Sequence, residues 1–291
     1  MAYVMKNRKP LLTDDEAAFV LENYLLMSFP KIGEKLGKSG KQIEGWVRNH
    51  ISDRVKKHRQ INDTYFSEID TPEKAYWLGL IYADGWVCKY IRSKQDEKPR
   101  YNYEFGIELQ RQDEYILYQL NDALGGENTI KQKTNELVIA DNEHVTRSES
   151  SVLRVYSKQI VEDLLKHGID YRKSHSSVFP VVDLQYFPQY LRGYIDGDGC
   201  IHKNVRGNLA VHITCSNQDC LIYIQDVLNN AFGISSSVYC EHNENYLDKY
   251  RLYCYRKNDA ISLLNLIYRD PNTPRLDRKY KIYTNSNCLA A

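Results

Sequence analysis

One nine-residue phrase occurs twice in this chain: residues 77–85 read WLGLIYADG and residues 191–199 read LRGYIDGDG. Each copy is a helix-compatible apolar run ending in an acid and a glycine, which puts Asp84 and Asp198 at helix C-termini. The macrodipole already leaves about half a negative charge there and disfavours another by roughly 0.3–1 kcal/mol. An acid placed so twice implies an expected cation. Gly79 and Ala83 in the first copy, and Gly193 and Gly197 in the second, are four apart and line one helix face. Without side chains there, two helices approach closer than the usual separation of about 8–10 Å, and their acidic ends converge. Paired carboxylates in an aqueous cleft make a hard oxygen-ligand site suited to Mg²⁺. Such a site activates water and clamps a phosphodiester during in-line displacement.

These phrases resemble the paired motifs of the LAGLIDADG homing endonucleases, in the form carrying both copies on one chain. Gly79, Asp84 and Gly85 match the third, eighth and ninth letters, as do Gly193, Asp198 and Gly199. Tyr82 replaces the family's first acid in copy one, whereas Asp196 keeps it in copy two. Arg192 replaces a small residue and is expected to face solvent or DNA. The resemblance implies a metal-dependent endodeoxyribonuclease that makes a double-strand break in a long asymmetric site and works as a monomer. Two or three divalent ions, Mg²⁺ with Mn²⁺ able to substitute, would bind between the halves on Asp84, Asp198 and the carbonyls of Ala83 and Gly197. It further implies a basic residue near the metals in each half, carried here to Lys173 and Lys279, and a polar residue beside them, Gln110, with Ser216 opposite. Two rivals are an intron RNA maturase, with intron RNA as partner, and a DNA-binding transcription regulator that does not cut. An intein is disfavoured by the ending SNCLAA.

The rest of the chain repeats one plan twice. YNYEFGIELQ alternates Tyr101, Tyr103, Phe105, Ile107 and Leu109 against Asn102, Glu104, Gly106, Glu108 and Gln110, a half-buried strand. A helix over 113–124, strands over 129–139 and 152–156 and a helix over 158–166 follow. After the second phrase come a strand in NLAVHITCS, a helix over 219–231, strands over 238–242 and 251–255, and a helix over 259–267. The fold class expected is α+β: two pseudo-symmetric αββαββα halves (71–180 and 181–291) forming a saddle of antiparallel sheets. Residues 86–100 and 141–150 resist assignment. One sheet face stays free and fits the major groove, where every base pair shows a distinct donor and acceptor pattern. Residues expected there are Asn102, Glu104, Gln110, Arg154 and Tyr156 in the first half. In the second they are His212, Thr214, Ser216, Arg251, Tyr253, Tyr255 and Lys257.

Residues 1–50 read as three short helices, with capping boxes at Thr13/Glu16 and Ser39/Gln42, and resemble a helix-turn-helix of the Myb-like or homeodomain-like kind. Ile43, Trp46 and Val47 form the inward stripe of the third helix, leaving Lys41, Gln42, Arg48 and Asn49 for DNA. Residues 51–70 read as a basic linker whose Arg54, Lys56, Lys57 and Arg59 could track a phosphate backbone. The net charge of +1 conceals this asymmetry: residues 1–60 carry 12 Lys+Arg against 7 Asp+Glu, and the remainder 27 against 31. Seven cysteines with no C-x-x-C pair fit reduced core or surface thiols better than a disulfide framework or a zinc site. No signal core precedes the first helix and no apolar run spans a bilayer, so an intracellular setting is expected: cytoplasm or nucleoid of a bacterial or phage-infected cell, or an organelle.

Overall fold

The computed structural model describes residues 11–24, 27–51, 61–93, 100–126, 128–138, 145–173, 176–242 and 248–286. The chain divides into two compact units, residues 1–60 and 61–291. Among the described residues no helix is long and apolar enough to cross a membrane.

The first unit holds α1 (Asp14–Asn23), α2 (Phe29–Leu36) and α3 (Gly40–His50). Both expected capping boxes form, Thr13 with Glu16 and Ser39 with Gln42. Gly37 ends α2 with φ +62°, a left-handed conformation that glycine adopts without a Cβ penalty. The turn into α3 is tight: a Cβ on Gly33 would lie 2.4 Å from the carbonyl oxygen of Lys38. Leu12, Val20, Ile32, Ile43 and Val47 form the buried core, with Trp46 packed against it.

The second unit runs α4 (Pro72–Asp84), β1 (Gly85–Ser93), β2 (Arg100–Gln110), a 3₁₀ turn (Arg111–Asp113), α5 (Glu114–Ala123), β3 (Ile130–Val138), β4 (Val145–Val155) and α6 (Lys158–Lys166). Then come α7 (Phe187–Asp198), β5 (Gly199–Lys203), β6 (Leu209–Cys215), α8 (Gln218–Phe232), β7 (Ser237–Glu241), β8 (Lys249–Cys254), α9 (Lys257–Ile267) and α10 (Asp277–Thr284). Two four-stranded antiparallel sheets share one topology, β1-β2-β4-β3 and β5-β6-β8-β7. Their registers coincide: Gly85 pairs with Ile107 as Gly199 pairs with Ile213. Gln110 and Ser216 therefore stand at equivalent register positions, Gln110 as the last residue of β2 and Ser216 immediately after β6. The class is α+β with two αββαββα-like halves.

α4 and α7 form the centre of the core. Every residue from Ala75 to Ala83 is buried, as is every residue from Phe187 to Asp196. Such all-round burial requires neighbours on every side, and each helix has the other helix and its own sheet. The sequence places both helices correctly but misses β1, which starts at the residue after the helix with no intervening loop. β4 begins at Val145, seven residues before the expected start, because its polar first stretch lacks apolar alternation. Lys257, expected on the sheet face, is the first residue of α9, and Tyr255 lies just beyond β8.

Candidate metal centre between the motif helices

Reciprocal glycines make the seam. A Cβ built on Gly79 would lie 2.0 Å from the carbonyl oxygen of Tyr190, and one built on Gly193 would lie 2.0 Å from that of Tyr76. These are backbone atoms on both sides, so no side chain can give way. Toward the C-terminal ends, a Cβ on Gly197 would lie 2.2 Å from Ala83 Cβ and 3.0 Å from Asp84 Oδ2. The small-residue face therefore carries α7 against the end of α4 and holds Asp84 beside the last turn that leads to Asp198.

No described residue donates a hydrogen bond or closes an ion pair to Asp84 or Asp198. Burial pushes the Asp84 carboxyl up to about 6, and the neighbouring Asp198 charge adds to the rise against Lys173, Lys279 and Arg278. Asp198 is raised too, because protein displaces water around it even though its surface is open to the cleft; Lys173 and Lys279 oppose the shift. Two crowded, unpartnered carboxylates are a receptive donor set for a hard cation.

The two lysines hold the helix ends. Lys173 Nζ donates to the carbonyls of Tyr82 (2.7 Å), Ile81 (3.4 Å) and Ala83. Lys279 Nζ, itself buried, donates to Ile195, Asp196 and Gly199 (each 2.6 Å) and Gly197 (3.4 Å). Each ammonium satisfies orphan carbonyls of a last helical turn and neutralises the negative pole. Their settings differ: Lys173 follows α6 in a turn, whereas Lys279 lies in α10. Burial lowers both, Lys173 to about 8. The carbonyls of Ala83 and Gly197 thus already accept from lysine and have only their remaining lone pair for any metal.

Three motif positions other than the terminal acids, Arg192, Asp196 and Tyr82, have structural roles. Arg192, expected at solvent or DNA, is fully buried. Its guanidinium donates to the carbonyls of Ile267 (2.6 Å), Asp270 (2.7 Å), Thr273 (2.7 Å) and Pro274 (3.3 Å). It thereby organises the loop between α9 and α10 that delivers Lys279. Asp196 is also buried and accepts from the Tyr76 hydroxyl (3.0 Å) and the Leu276 N–H (2.8 Å). Desolvation lifts its carboxyl to about 6. Tyr82, in the equivalent position, packs edge-on against Tyr194 at 5.2 Å. Across the halves, Arg278 pairs with Asp113 at 2.8 Å.

A cavity of about 290 Å³ opens beside Asp198, lined among others by Tyr82, Ala83, Lys173, Ser216 and Lys249. Lys249 escaped the sequence reading because it starts an edge-proximal strand with no motif around it. Gln110 lies exposed at the end of β2 and accepts from Gln112 at 2.7 Å. On the free faces Arg154 and Tyr156 are exposed, Asn102, His212, Thr214, Arg251 and Tyr253 half-buried, and Glu104 buried. Glu104 accepts from Trp86 Nε1 (3.3 Å) and pairs with Arg154 (3.4 Å), which removes it from the surface offered to a ligand. Arg251 pairs with Glu241 at 3.0 Å. In the first unit Lys41, Gln42, Arg48 and Asn49 are exposed, although Gln42 Oε1 is engaged by the Ser39 N–H at 2.9 Å. Arg54, Lys56, Lys57 and Arg59 lie outside the described residues.

Two matched αββαββα halves with acid-tipped helices at their junction define the class of architecture. Residues 189–268, within the second half, match the model of the LAGLIDADG-like domain family. Among solved structures the chain is similar to the LAGLIDADG homing endonuclease I-GzeII in complex with a DNA target: 14% identity, TM-score 0.48, covering 76% of this chain and 89% of that one. It is also similar to I-DmoI in complex with its target DNA in the presence of manganese, at 18% identity and TM-score 0.44, over 72% and 98%. A third likeness is full-length DUF199/WhiA from Thermatoga maritima, at 17% identity and TM-score 0.42, over 77% and 66%.

Proposed function

We propose that this chain is a site-specific DNA endonuclease that hydrolyses one phosphodiester on each strand of a long asymmetric duplex site. The observation that carries this reading is the pair of unpartnered carboxylates, Asp84 and Asp198, fixed at the ends of two helices whose glycines interlock. A structural carboxylate is normally hydrogen-bonded or paired, as Asp196 is; these two have no such partner among the described residues.

The donors fit Mg²⁺: anionic oxygens from Asp84 and Asp198, supplemented by the carbonyls of Ala83 and Gly197 that already share a lysine. When bound, the divalent ions would supply a lowered pKa for attacking water and charge neutralisation on the phosphate. Asp84 and Asp198 would hold the cations at the seam. Lys173 and Lys279 keep the helix poles neutral and set positive charge beside the position where the phosphate acquires negative charge. The free sheet faces, with Asn102, Arg154, Tyr156, His212, Thr214, Arg251 and Tyr253, lie against the major groove and read base edges. Helices α1–α3, through Lys41, Arg48 and Asn49, add contacts on one flank, mainly to phosphates. No covalent protein intermediate is needed.

The test is cleavage of a duplex library spanning the uninterrupted insertion site, with Mg²⁺, by wild type and by Asp84→Asn and Asp198→Asn. The expected result is a double-strand break made by wild type alone, with binding retained by both variants. Specific binding with no cutting by wild type would overturn the nuclease reading in favour of a DNA-binding regulator.

A further inference from the structure

The two sheets differ sharply at one matched position of their free faces. In the first, Trp86 on β1 lies over Gly106 on β2, so closely that a Cβ on Gly106 would meet the indole at 2.2 Å. Arg154 covers the same ring at 5.7 Å and Glu104 accepts its N–H. By register, Cys200 in the second sheet takes the place of Trp86, His212 that of Gly106 and Tyr253 that of Arg154. An indole packed by a carboxylate and a guanidinium is thus replaced by a thiol and an imidazole facing each other across β5 and β6.

A third donor completes the group. His202, two residues beyond Cys200 and on the same face of β5, brings Nδ1 to 3.9 Å from Cys200 Sγ. One donor atom from each of Cys200, His202 and His212 falls within 4.8 Å of the other two, and all three side chains are half-buried. His212 Nδ1 is buried and has no hydrogen-bond partner among the described residues. Cys200 is a free thiol. We propose that Cys200, His202 and His212 bind a transition-metal ion of the zinc class, distinct from the seam between the motif helices.

The donors are one thiolate and two imidazoles, the set that suits Zn²⁺ and contrasts with the all-oxygen seam. Tetrahedral Zn–S of about 2.3 Å and Zn–N of about 2.0–2.1 Å require the donors to draw together by side-chain rotation from their present separations, 3.9 Å between Cys200 Sγ and His202 Nδ1 and up to 4.8 Å within the group. Three protein ligands leave a fourth position for water. Tyr253 walls the site on β8, its ring 5.3 Å from that of His212. The site is also adjacent to the motif: Gly199, whose carbonyl receives Lys279, immediately precedes Cys200. The metal would therefore brace the strand that leaves the second motif helix.

Co²⁺ titration of the full-length protein tests this without reference to cleavage. The expected result is one equivalent giving a thiolate-to-cobalt charge-transfer band and intense four-coordinate visible bands, both bleached by stoichiometric Zn²⁺. Cys200→Ser should abolish the charge-transfer band, and His212→Gln and His202→Asn should each weaken Zn²⁺ binding by about tenfold or more. Cys215→Ser, in the neighbouring cavity, should leave the spectrum unchanged. Circular dichroism checks that each variant folds; His202→Asn, on a half-exposed strand, serves if Cys200→Ser does not. A charge-transfer band that survives Cys200→Ser or His202→Asn at full affinity, or a wild-type spectrum showing only weak octahedral bands, overturns the proposal.

Discussion

Lys173 reaches the carbonyl of Tyr82 at 2.7 Å, and the residue that follows the capped turn is Asp84. The ammonium thus neutralises the pole that the carboxylate would otherwise fight. It does so without forming an ion pair with that carboxylate, which stays available.

The first consequence is electrostatic. Asp84 titrates near 6 in the folded protein, against an ordinary carboxylate value of about 3.9 when unfolded. The folded state holds that proton more tightly, so stability is greatest below about pH 4 and falls as pH rises toward 6. Asp196 contributes in the same direction. Asp84→Asn should therefore raise the unfolding free energy at pH 7.5, read from urea denaturation, by an amount on the order of 2 kcal/mol. It should also flatten the pH dependence between 4 and 6. Mg²⁺ should raise the wild-type Tm and leave that of the variant unchanged; a variant less stable than wild type at pH 7.5 would contradict this.

The same groups shape the rate. At sub-saturating Mg²⁺, cleavage should rise through about pH 6 as Asp84 ionises and fall above about pH 8 as Lys173 loses its proton. More Mg²⁺ should move the acidic limb lower, because metal competes with the proton. Lys173→Met should cost on the order of 10²-fold in rate and remove the alkaline limb. A limb that persists in that variant would assign it elsewhere.

Seam glycines should be unforgiving. Gly79→Ala or Gly193→Ala would set a methyl 2.0 Å from a carbonyl oxygen, and the helices must part. The expected loss is about 3 kcal/mol or more by denaturant unfolding. Gly45→Ala in α3, whose added Cβ would meet only Arg48 at 4.0 Å, should instead stabilise the first unit by about 0.5–1 kcal/mol.

Arg192 holds four carbonyls, and removing it strands them in the interior. Arg192→Met should cost about 3–5 kcal/mol. Arg192→Lys should recover little, since an ammonium cannot span the fork. Chemical denaturation at neutral pH distinguishes these outcomes, and an Arg192→Lys variant of wild-type stability would show that the charge alone suffices.

If α1–α3 grip phosphates, Lys41→Ala and Arg48→Ala should each weaken binding to all duplexes alike and lower the log–log salt slope by about 1. A change confined to one base position, seen in a binding selection, would instead mean direct readout.

Much of this architecture is legible in sequence because local and tertiary signals agree. α6 falls where Ser157 and the period of Ile160, Val161 and Leu164 place it, and both capping boxes form as written. The small face of Gly79, Ala83, Gly193 and Gly197 announces the helix seam. β1 is hidden because Gly85 takes an extended conformation (φ −87°) directly at the helix end, and because Trp86 and Cys88 share a face with no apolar core beneath it. Arg192 misleads because a charged residue in a motif helix reads as surface. Its burial becomes intelligible only once the carbonyls of Ile267, Asp270 and Thr273, some 80 residues away, surround it. The lysine caps are long-range in the same sense: the family resemblance suggests them, but only the fold shows which carbonyls they satisfy. The Cys200, His202 and His212 group is invisible to spacing rules, since its third member comes from a neighbouring strand.

Because each seam glycine rests on the opposite backbone, neither helix can retreat without displacing the other. Drift at Gly79 or Gly193 would dismantle both acidic tips in a single event, leaving an inert clamp. Lys173 and Lys279, by contrast, sit in unlike local structures and can be lost one at a time. On the proposed function, a descendant that nicks a single strand would arise by way of the lysines, whereas loss of both acidic tips needs only one methyl group in the wrong place.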